Sequence, residues 1–449
     1  MAATAAQGAV AFPMHASEGV FDGHGSADSG GRLNSLSRPV AAPAASPVVS
    51  VLIVTYEPEP ELLQQCLSSV VASSYRPLQL VVVDNGSRRR DVGALIQKEL
   101  EAADGAGLEA TFAGQETNLG YAGATNVGVG LSRGELVLLL NPDARVEWDA
   151  IRLLVDAAAR RPAVAGLAPK ILLADPGVVI DSVGMSLHPG GSGTQRGLGQ
   201  ADVGQYDLEE PVQGLCFAAA LVRREVFSPA QVGLLDDRYF MFYEDVDWSL
   251  RAQVLGESFW TVPAAKVFHF HSATTRHLGG GFKTRLVQRN LIWSAVKNLE
   301  TRSAIRVLLR RSVFNLERLL ALRHPAGSAR ALLEAWAGLP SMVRSRRQVQ
   351  RRRRRPDREF LTRHGERAFF DVETYSPEAS VAALVSVLGR LYAAAPDPQL
   401  ERILMRLKSA EEAGLGRDPV RVAGLVRESG IRPGPGLAWL LRAMEEVRT

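Results

Sequence analysis

The chain has 449 residues, 46% hydrophobic and 22% charged, the balance of a soluble globular protein with room for two or three domains of about 150 residues each. Its formal charge of +4 is a local excess. Nine arginines crowd residues 344–358 and the remainder is slightly acidic, which argues against a broad basic surface for nucleic acid.

The two cysteines, Cys66 and Cys216, lie far apart without CxxC spacing, so neither a disulfide framework nor a thiolate metal site is expected. No apolar run approaches the roughly 20 residues needed to span a bilayer. The amino terminus lacks a basic flank and a sustained apolar core, so a cytoplasmic protein without a secretory signal is expected.

Residues 1–47 are rich in Ala, Gly, Ser and Pro without apolar periodicity and read as a disordered tail. Order is expected from Val48, where a strand runs to Tyr56, followed by a helix over 61–72 and a strand from Leu78 to Asp84. A helix over 91–103, a weak strand over 109–113, a helix from near Gly123 and an apolar strand over 136–140 follow. Strands alternating with helices predict βαβ units and a mostly parallel sheet, an α/β fold. The glycine-rich passage from Gly184 to Gly204 suggests loops and an antiparallel hairpin. Beyond about residue 300 the pattern is helical, interrupted by the arginine run.

Two acidic sites stand out. Leu-Asn-Pro-Asp at 140–143 follows a buried strand, so Asp143 sits where open α/β sheets bind ligands. Tyr-Glu-Asp-Val-Asp at 243–247 heads an amphipathic stretch, offering Glu244 and Asp245 as acid–base groups. The first suits a divalent metal holding a diphosphate, because hard cations take one or two carboxylates plus phosphate oxygens. Each motif also has a structural reading. Asp84-Asn-Gly-Ser is a turn sequence, Asn118 suits helix capping, and Glu244 and Asp245 favour a helix amino end.

Val-Ser-Val-Leu-Ile-Val-Thr-Tyr, Val-Val-Val-Asp-Asn-Gly-Ser, Asn-Leu-Gly-Tyr-Ala-Gly-Ala-Thr-Asn, Leu-Leu-Asn-Pro-Asp-Ala and Phe-Tyr-Glu-Asp-Val-Asp occur in that order between Val48 and Leu299. The series resembles family-2 inverting glycosyltransferases of the GT-A fold, in their rhamnosyltransferase-like branch. The resemblance implies a Rossmann-like GT-A domain over 48–300 and a helical region over 301–449 with a basic linker at 344–358. It implies that Asp84 and Asn85 meet the nucleotide base with Thr55 and Tyr56 lining the pocket, and that Asn118, Gly120 and Asn126 shape the nucleotide-sugar site. Asn141 takes the first position of the family's Asp-x-Asp element, with Asp143 as the local carboxylate for Mg or Mn. His269, with His271 beside it, is implied to complete the metal site. Asp245 is implied as general base with Glu244 supporting it, and Arg289 as a diphosphate or acceptor contact.

The implied donor is a dTDP- or UDP-sugar, rhamnose first, and the implied acceptor a bacterial polysaccharide or lipid-linked glycan. For the arginine run three readings stand: a solvated linker, contact with anionic lipid on the inner face of the plasma membrane, or nonspecific RNA binding. Two other readings of the whole chain remain open at this point, a sugar nucleotidyltransferase and a catalytically degenerate glycan-binding scaffold. The acidic, glycine-free Thr55-Tyr-Glu-Pro-Glu-Pro argues against the first, and the intact Glu244-Asp245 pair against the second.

Overall fold

Strand β1 (Val49–Thr55) is buried at all seven positions, because it lies in the middle of a sheet covered on both faces. It pairs in parallel with β2 (Leu78–Asp84) on one side and β4 (Leu136–Leu140) on the other, while β3 (Glu109–Gly114) extends the sheet beyond β2. Helices α1 (Pro60–Val71), α2 (Arg90–Gly105) and α3 (Gly120–Leu131) make the crossovers. The strand period of two divides the apolar residues between two cores. Val49, Val51 and Ile53 face a core shared with Leu63 and Leu67 of α1, whereas Leu52 and Val54 face one shared with Ala122 and Val129 of α3. The computed structural model describes residues 46–174, 179–200, 202, 204–270, 280–320 and 325–361.

After β4 the sheet reverses. A short β5 (Ala144–Val146) and helix α4 (Ala150–Arg160) precede β6 (Gly166–Leu173), and β11 (Ala219–Arg223) runs antiparallel between β4 and β6. Between them lie β7 (Ile180–Ser182), antiparallel to β6, the hairpin β8 (Met185–Leu187) and β9 (Gly193–Gln195), and β10 (Pro211–Val212). Helix α5 (Glu244–Val254) leads into the long β12 (Phe259–His269), parallel to β6 and antiparallel to β5. The hairpin expected between Gly184 and Gly204 is the β8–β9 pair.

The helical part begins at Gly280, earlier than the expected boundary at 301. Helix α6 (Gly280–Asn298) lies against α5, α7 (Thr301–Leu320) and α8 (Pro325–Arg351), a path that carries the expected GT-A region and the helices into one packed unit.

The basic linker expected at 344–358 is a capping arm instead. Its first half is the last two turns of α8, and its second half packs on the ends of α5 and α6. The last four carbonyls of a helix have no intrahelical partner, and cations favour that end. Arg346 donates to the Val296 and Leu299 carbonyls, Gln350 to those of Lys297 and Asn298, and Arg353 to that of Asn298. Arg355 does the same beyond α5, bonding the Gly256 and Glu257 carbonyls, and Arg352 reaches those at 229–231. Residues 1–45 of the expected tail and 362–449 of the expected helical region lie outside the described residues.

Candidate active site

Parallel strands deliver their carboxyl ends to one edge, and the expected donor residues gather there. Thr55 pairs in register with Asp84 at the last rung of β1 and β2. Thr55 is buried, and its Oγ1 has no hydrogen-bond partner among the described residues; Tyr56 beside it is partly exposed. The Asp84 carboxylate accepts the Ser87 hydroxyl at 2.6 Å, so the turn anticipated for Asp-Asn-Gly-Ser is present alongside a partly exposed carboxylate.

The asparagines are clamps. Buried Asn85 donates to the Asn118 side-chain oxygen at 3.0 Å and accepts the Leu119 amide at 2.8 Å, and Asn118 accepts the Gly120 amide at 2.8 Å. Asn126 exchanges two bonds with the backbone of Leu235, at 2.8 and 2.9 Å. These three amides fix the loop before α3 and the loop at 235. Gly120 has φ +73°, and a Cβ there would overlap the Phe240 carbonyl, so only glycine fits. That carbonyl accepts the Ala122 amide at 3.1 Å and closes the amino end of α3 against the segment before α5.

The loop after β4 and the end of β12 meet because His269 lies opposite Ala144 and Leu173. His269 Nε2 is 3.2 Å from Asp143 Oδ1 and 3.3 Å from the Asn141 amide nitrogen, and its Nδ1 lies 2.6 Å from Asp181 Oδ2. Asp143, His269 and Asp181 therefore form a buried chain of carboxylate, imidazole and carboxylate. Burial alone would lower the His269 pKa, but the two carboxylates raise it to about 10. The second carboxylate also orients the ring, the usual arrangement behind a metal-ligating histidine. Among the described residues no three His, Cys, Asp or Glu side chains surround a common metal position. Asp143 and His269 place one carboxylate and one imidazole side by side, with the Asn141 side-chain amide able to turn its oxygen inward. His271 lies outside the described residues. Asp181 is missing from the sequence expectations; a lone acid inside Val179-Ile-Asp-Ser-Val183 was the available signal.

Glu244 and Asp245 open α5 after an unusual backbone. Phe240, Phe242 and Tyr243 have φ of 65°, 63° and 70°, left-handed values that cost a residue with a side chain about 1–3 kcal/mol. Helix α6 holds this segment. Asn290, fully buried, donates to the carbonyls of Tyr239, Met241 and Phe242 at 3.0, 3.0 and 2.7 Å. Arg289 donates to the Arg238 and Tyr239 carbonyls at 3.2 and 3.0 Å, to Asn290 at 2.9 Å and to Glu334 at 3.4 Å, and stacks on Trp293. Arg289, expected at diphosphate or acceptor, thus has its guanidinium engaged by the segment before α5. Below it, buried Asp247 bonds the Tyr239 hydroxyl at 2.9 Å, Lys297 at 2.7 Å and Asn298 at 2.7 Å.

The two carboxyls differ in environment. Glu244 is buried with Oε2 unpartnered among the described residues, and burial together with the adjacent Asp245 pushes its pKa well up. Asp245 is partly exposed; burial raises it to about 6, opposed by the Val246 amide bond and the nearby Phe217 amide. Phe217 and Ala218 tie both acidic sites together. The nearby Phe217 amide favours the charged form of Asp245, the Phe217 carbonyl accepts the Tyr121 hydroxyl at 3.1 Å, and the Ala218 carbonyl accepts the Asn141 backbone N–H at 2.9 Å. Cys216 just before them is pushed up to about 12 by burial and then by Asp181 and Asp245. The expected metal and base groups therefore flank one short stretch of chain.

Comparison with known proteins agrees. Residues 50–228 match the family described as glycosyl transferase family 2. Over 318 aligned residues, covering 62% of this chain and 99% of the relative, the chain is 31% identical to N-acetylglucosaminyl-diphospho-decaprenol L-rhamnosyltransferase of Mycobacterium tuberculosis. It is 28% identical over 214 residues, 46% of this chain and 61% of the relative, to the low-salt glycan biosynthesis hexosyltransferase Agl10 of Haloferax volcanii. A solved structure of the mannosyltransferase PcManGT from Pyrobaculum calidifontis, in complex with GDP-Man and Mn2+, aligns with TM-score 0.41 and 17% identity over 68% of this chain and 86% of that one. The protein is a glycosyltransferase with a mostly parallel mixed sheet and a helical region, α6 to α8, after it. The chain belongs to glycosyl transferase family 2, in the rhamnosyltransferase-like branch.

Proposed function

We propose that the protein transfers a hexosyl group, rhamnose first among the candidates, from a dTDP- or UDP-sugar to a hydroxyl of a lipid-linked glycan, with inversion at the anomeric carbon. The observation that carries this reading is the Phe217-Ala218 stretch, whose first amide lies near enough to Asp245 to favour its charged form and whose second carbonyl accepts the Asn141 backbone N–H. An in-line displacement needs a base on one side of the anomeric carbon and a seat for the leaving diphosphate on the other.

Asp143 and His269, the imidazole giving up its Nε2 proton to the solvent, would hold a divalent cation with Asn141 beside them. A carboxylate and an imidazole suit Mn better than Mg, which prefers an all-oxygen shell. When bound, the cation supplies positive charge to the departing diphosphate. The rest falls to the chain's own residues. Asp245, at about 6, is ionised at neutral pH and open enough to be reached, whereas Glu244 is buried, and burial together with Asp245 pushes it well above the usual glutamate range. As the acceptor oxygen bonds the anomeric carbon, its proton passes to Asp245 and the bond to the diphosphate breaks, its electron pair leaving with the phosphate. Positioned general bases typically contribute about 10²–10⁴ in rate. The relative's printed name gives a diphospho-decaprenol-linked sugar as its acceptor. A like acceptor here would place the reaction on the cytoplasmic face of a membrane.

The test is incubation of the purified protein with dTDP-rhamnose, UDP-sugars or GDP-mannose, Mn2+ and N-acetylglucosaminyl-diphospho-polyprenol, with mass detection of the lipid product. A pyrimidine donor giving a glycosylated lipid, and no product with Asp245→Asn, supports the proposal. No product with any pyrimidine donor overturns it.

A further inference from the structure

We infer that the outer face of α7 and α8 is a docking surface for an anionic membrane. Eight of the thirteen large hydrophobic side chains exposed among the described residues lie on these two helices. On α7, Ile305, Leu309, Val313, Leu316 and Leu320 recur at spacings of four and three, a single stripe. The opposite face, with Ala304, Val307 and Asn315, packs inward. On α8, Leu333, Trp336 and Val343 are exposed, and the Trp336 indole donates to Ser312 Oγ at 3.1 Å. Ser312 sits within the α7 stripe, so that bond joins the two stripes into one apolar face.

The chemistry of the rim identifies the partner. Exposed Arg302, Arg306 and Arg310 run along the edge of the α7 stripe, and exposed Arg330, Arg344 and Arg347 are interleaved on α8. None of the six is ion-paired with an acid among the described residues. An apolar helical face carrying tryptophan and edged by arginine is the pattern of a helix lying in the headgroup layer, with leucines in the acyl boundary and cations at the phosphates. No described helix is long and apolar enough to cross a membrane, so the contact is at the surface. The arginine run at 352–355 is a poorer candidate, because Arg352, Arg353 and Arg355 already bond backbone carbonyls. The surface stands apart from the transfer reaction: vesicle binding needs neither donor nor acceptor, so its outcome is independent of the proposed activity.

The experiment is co-sedimentation of the full chain with phosphatidylcholine vesicles, with and without phosphatidylglycerol, at low and high salt, alongside sedimentation velocity of the protein alone. The wild type should pellet with the anionic vesicles and be released by salt. Arg302→Gln/Arg306→Gln/Arg310→Gln should weaken binding about fivefold per arginine, roughly 100-fold together. Ile305→Ser/Leu309→Ser/Leu316→Ser should weaken it about tenfold or more. All six positions are exposed, so melting should be unchanged; should the serine variant fail to fold, the arginine variant decides alone. A wild type that stays in the supernatant overturns the inference, as do variants that pellet like the wild type. So does a wild-type dimer that the serine variant converts to monomer without vesicle binding, since the face then joins two copies of the chain.

Discussion

Replacing Asn290 by alanine tests how the helical part serves the candidate base. The Asn290 amide offers two hydrogens to three carbonyls, those of Tyr239, Met241 and Phe242, all within 3.0 Å, and its oxygen accepts from Arg289. In Asn290→Ala the Met241 and Phe242 carbonyls lose this donor in a partly buried site, while the Tyr239 carbonyl keeps Arg289. Leaving a buried polar group unpaired costs about 1–3 kcal/mol, and at least two carbonyls are affected, so about 2–4 kcal/mol of local stability should be lost. Three left-handed residues at 240, 242 and 243 add a tendency to relax once the clamp is gone. Every 1.4 kcal/mol is a factor of ten, so amides of residues 238–246 should exchange with deuterium roughly 10²-fold faster. Those of β1 and β2 should be unchanged. The readout is hydrogen–deuterium exchange by mass spectrometry, with turnover measured in parallel. Displacement of the carboxylates by about 1 Å should lower kcat about 10²-fold while leaving nucleotide affinity in place. Unchanged protection over 238–246 would refute the clamp.

With a base at about 6, kcat/KM should fall as pH drops through 6, and Asp245→Asn should lose about 10²–10⁴ in rate while still binding nucleotide. Because the folded state holds this proton more tightly than the unfolded one, the aspartate costs stability above pH 6 and that cost fades as pH falls. Asp245→Asn should therefore raise the melting temperature at pH 8 and have little effect at pH 4. Asp181→Asn should weaken Mn2+ binding about 10–100-fold by calorimetry, since it leaves the His269 ring without its anionic anchor; equal affinity would show the ring is held otherwise. Lys297→Met removes the cation paired with buried Asp247, and should cost about 3–5 kcal/mol in denaturant melts, with part recovered in the double variant Lys297→Met/Asp247→Asn.

The parallel half of the sheet was legible because strands buried on both faces read as unbroken apolar runs, as in Leu136–Leu140. Asp143 and His269 could be named as candidates because each stands at the end of a strand, and the Glu244-Asp245 pair because it opens an amphipathic helix. What one sequence conceals is the partner of a polar side chain. Asn85, Asn118 and Asn126 look alike as ligand contacts or as clamps until Leu235, far along the chain, is seen against Asn126. The arginine run read equally as a solvated linker, a lipid contact or an RNA contact, because nothing local reveals that the carbonyl ends of α5 and α6 lie beside it. Asp181 and Asn290 act through His269 and through a strained backbone, neither of which has a sequence pattern of its own.

The most direct measurement is calorimetric titration of dTDP and UDP in the presence of Mn2+ into the wild type, Asp143→Ala and Asp245→Asn. Metal-dependent binding in the wild type, lost in Asp143→Ala and retained in Asp245→Asn, is the result expected if Asp143 and His269 seat the diphosphate and Asp245 serves only the acceptor. Nucleotide binding that is equally tight in Asp143→Ala, or indifferent to metal, would contradict it.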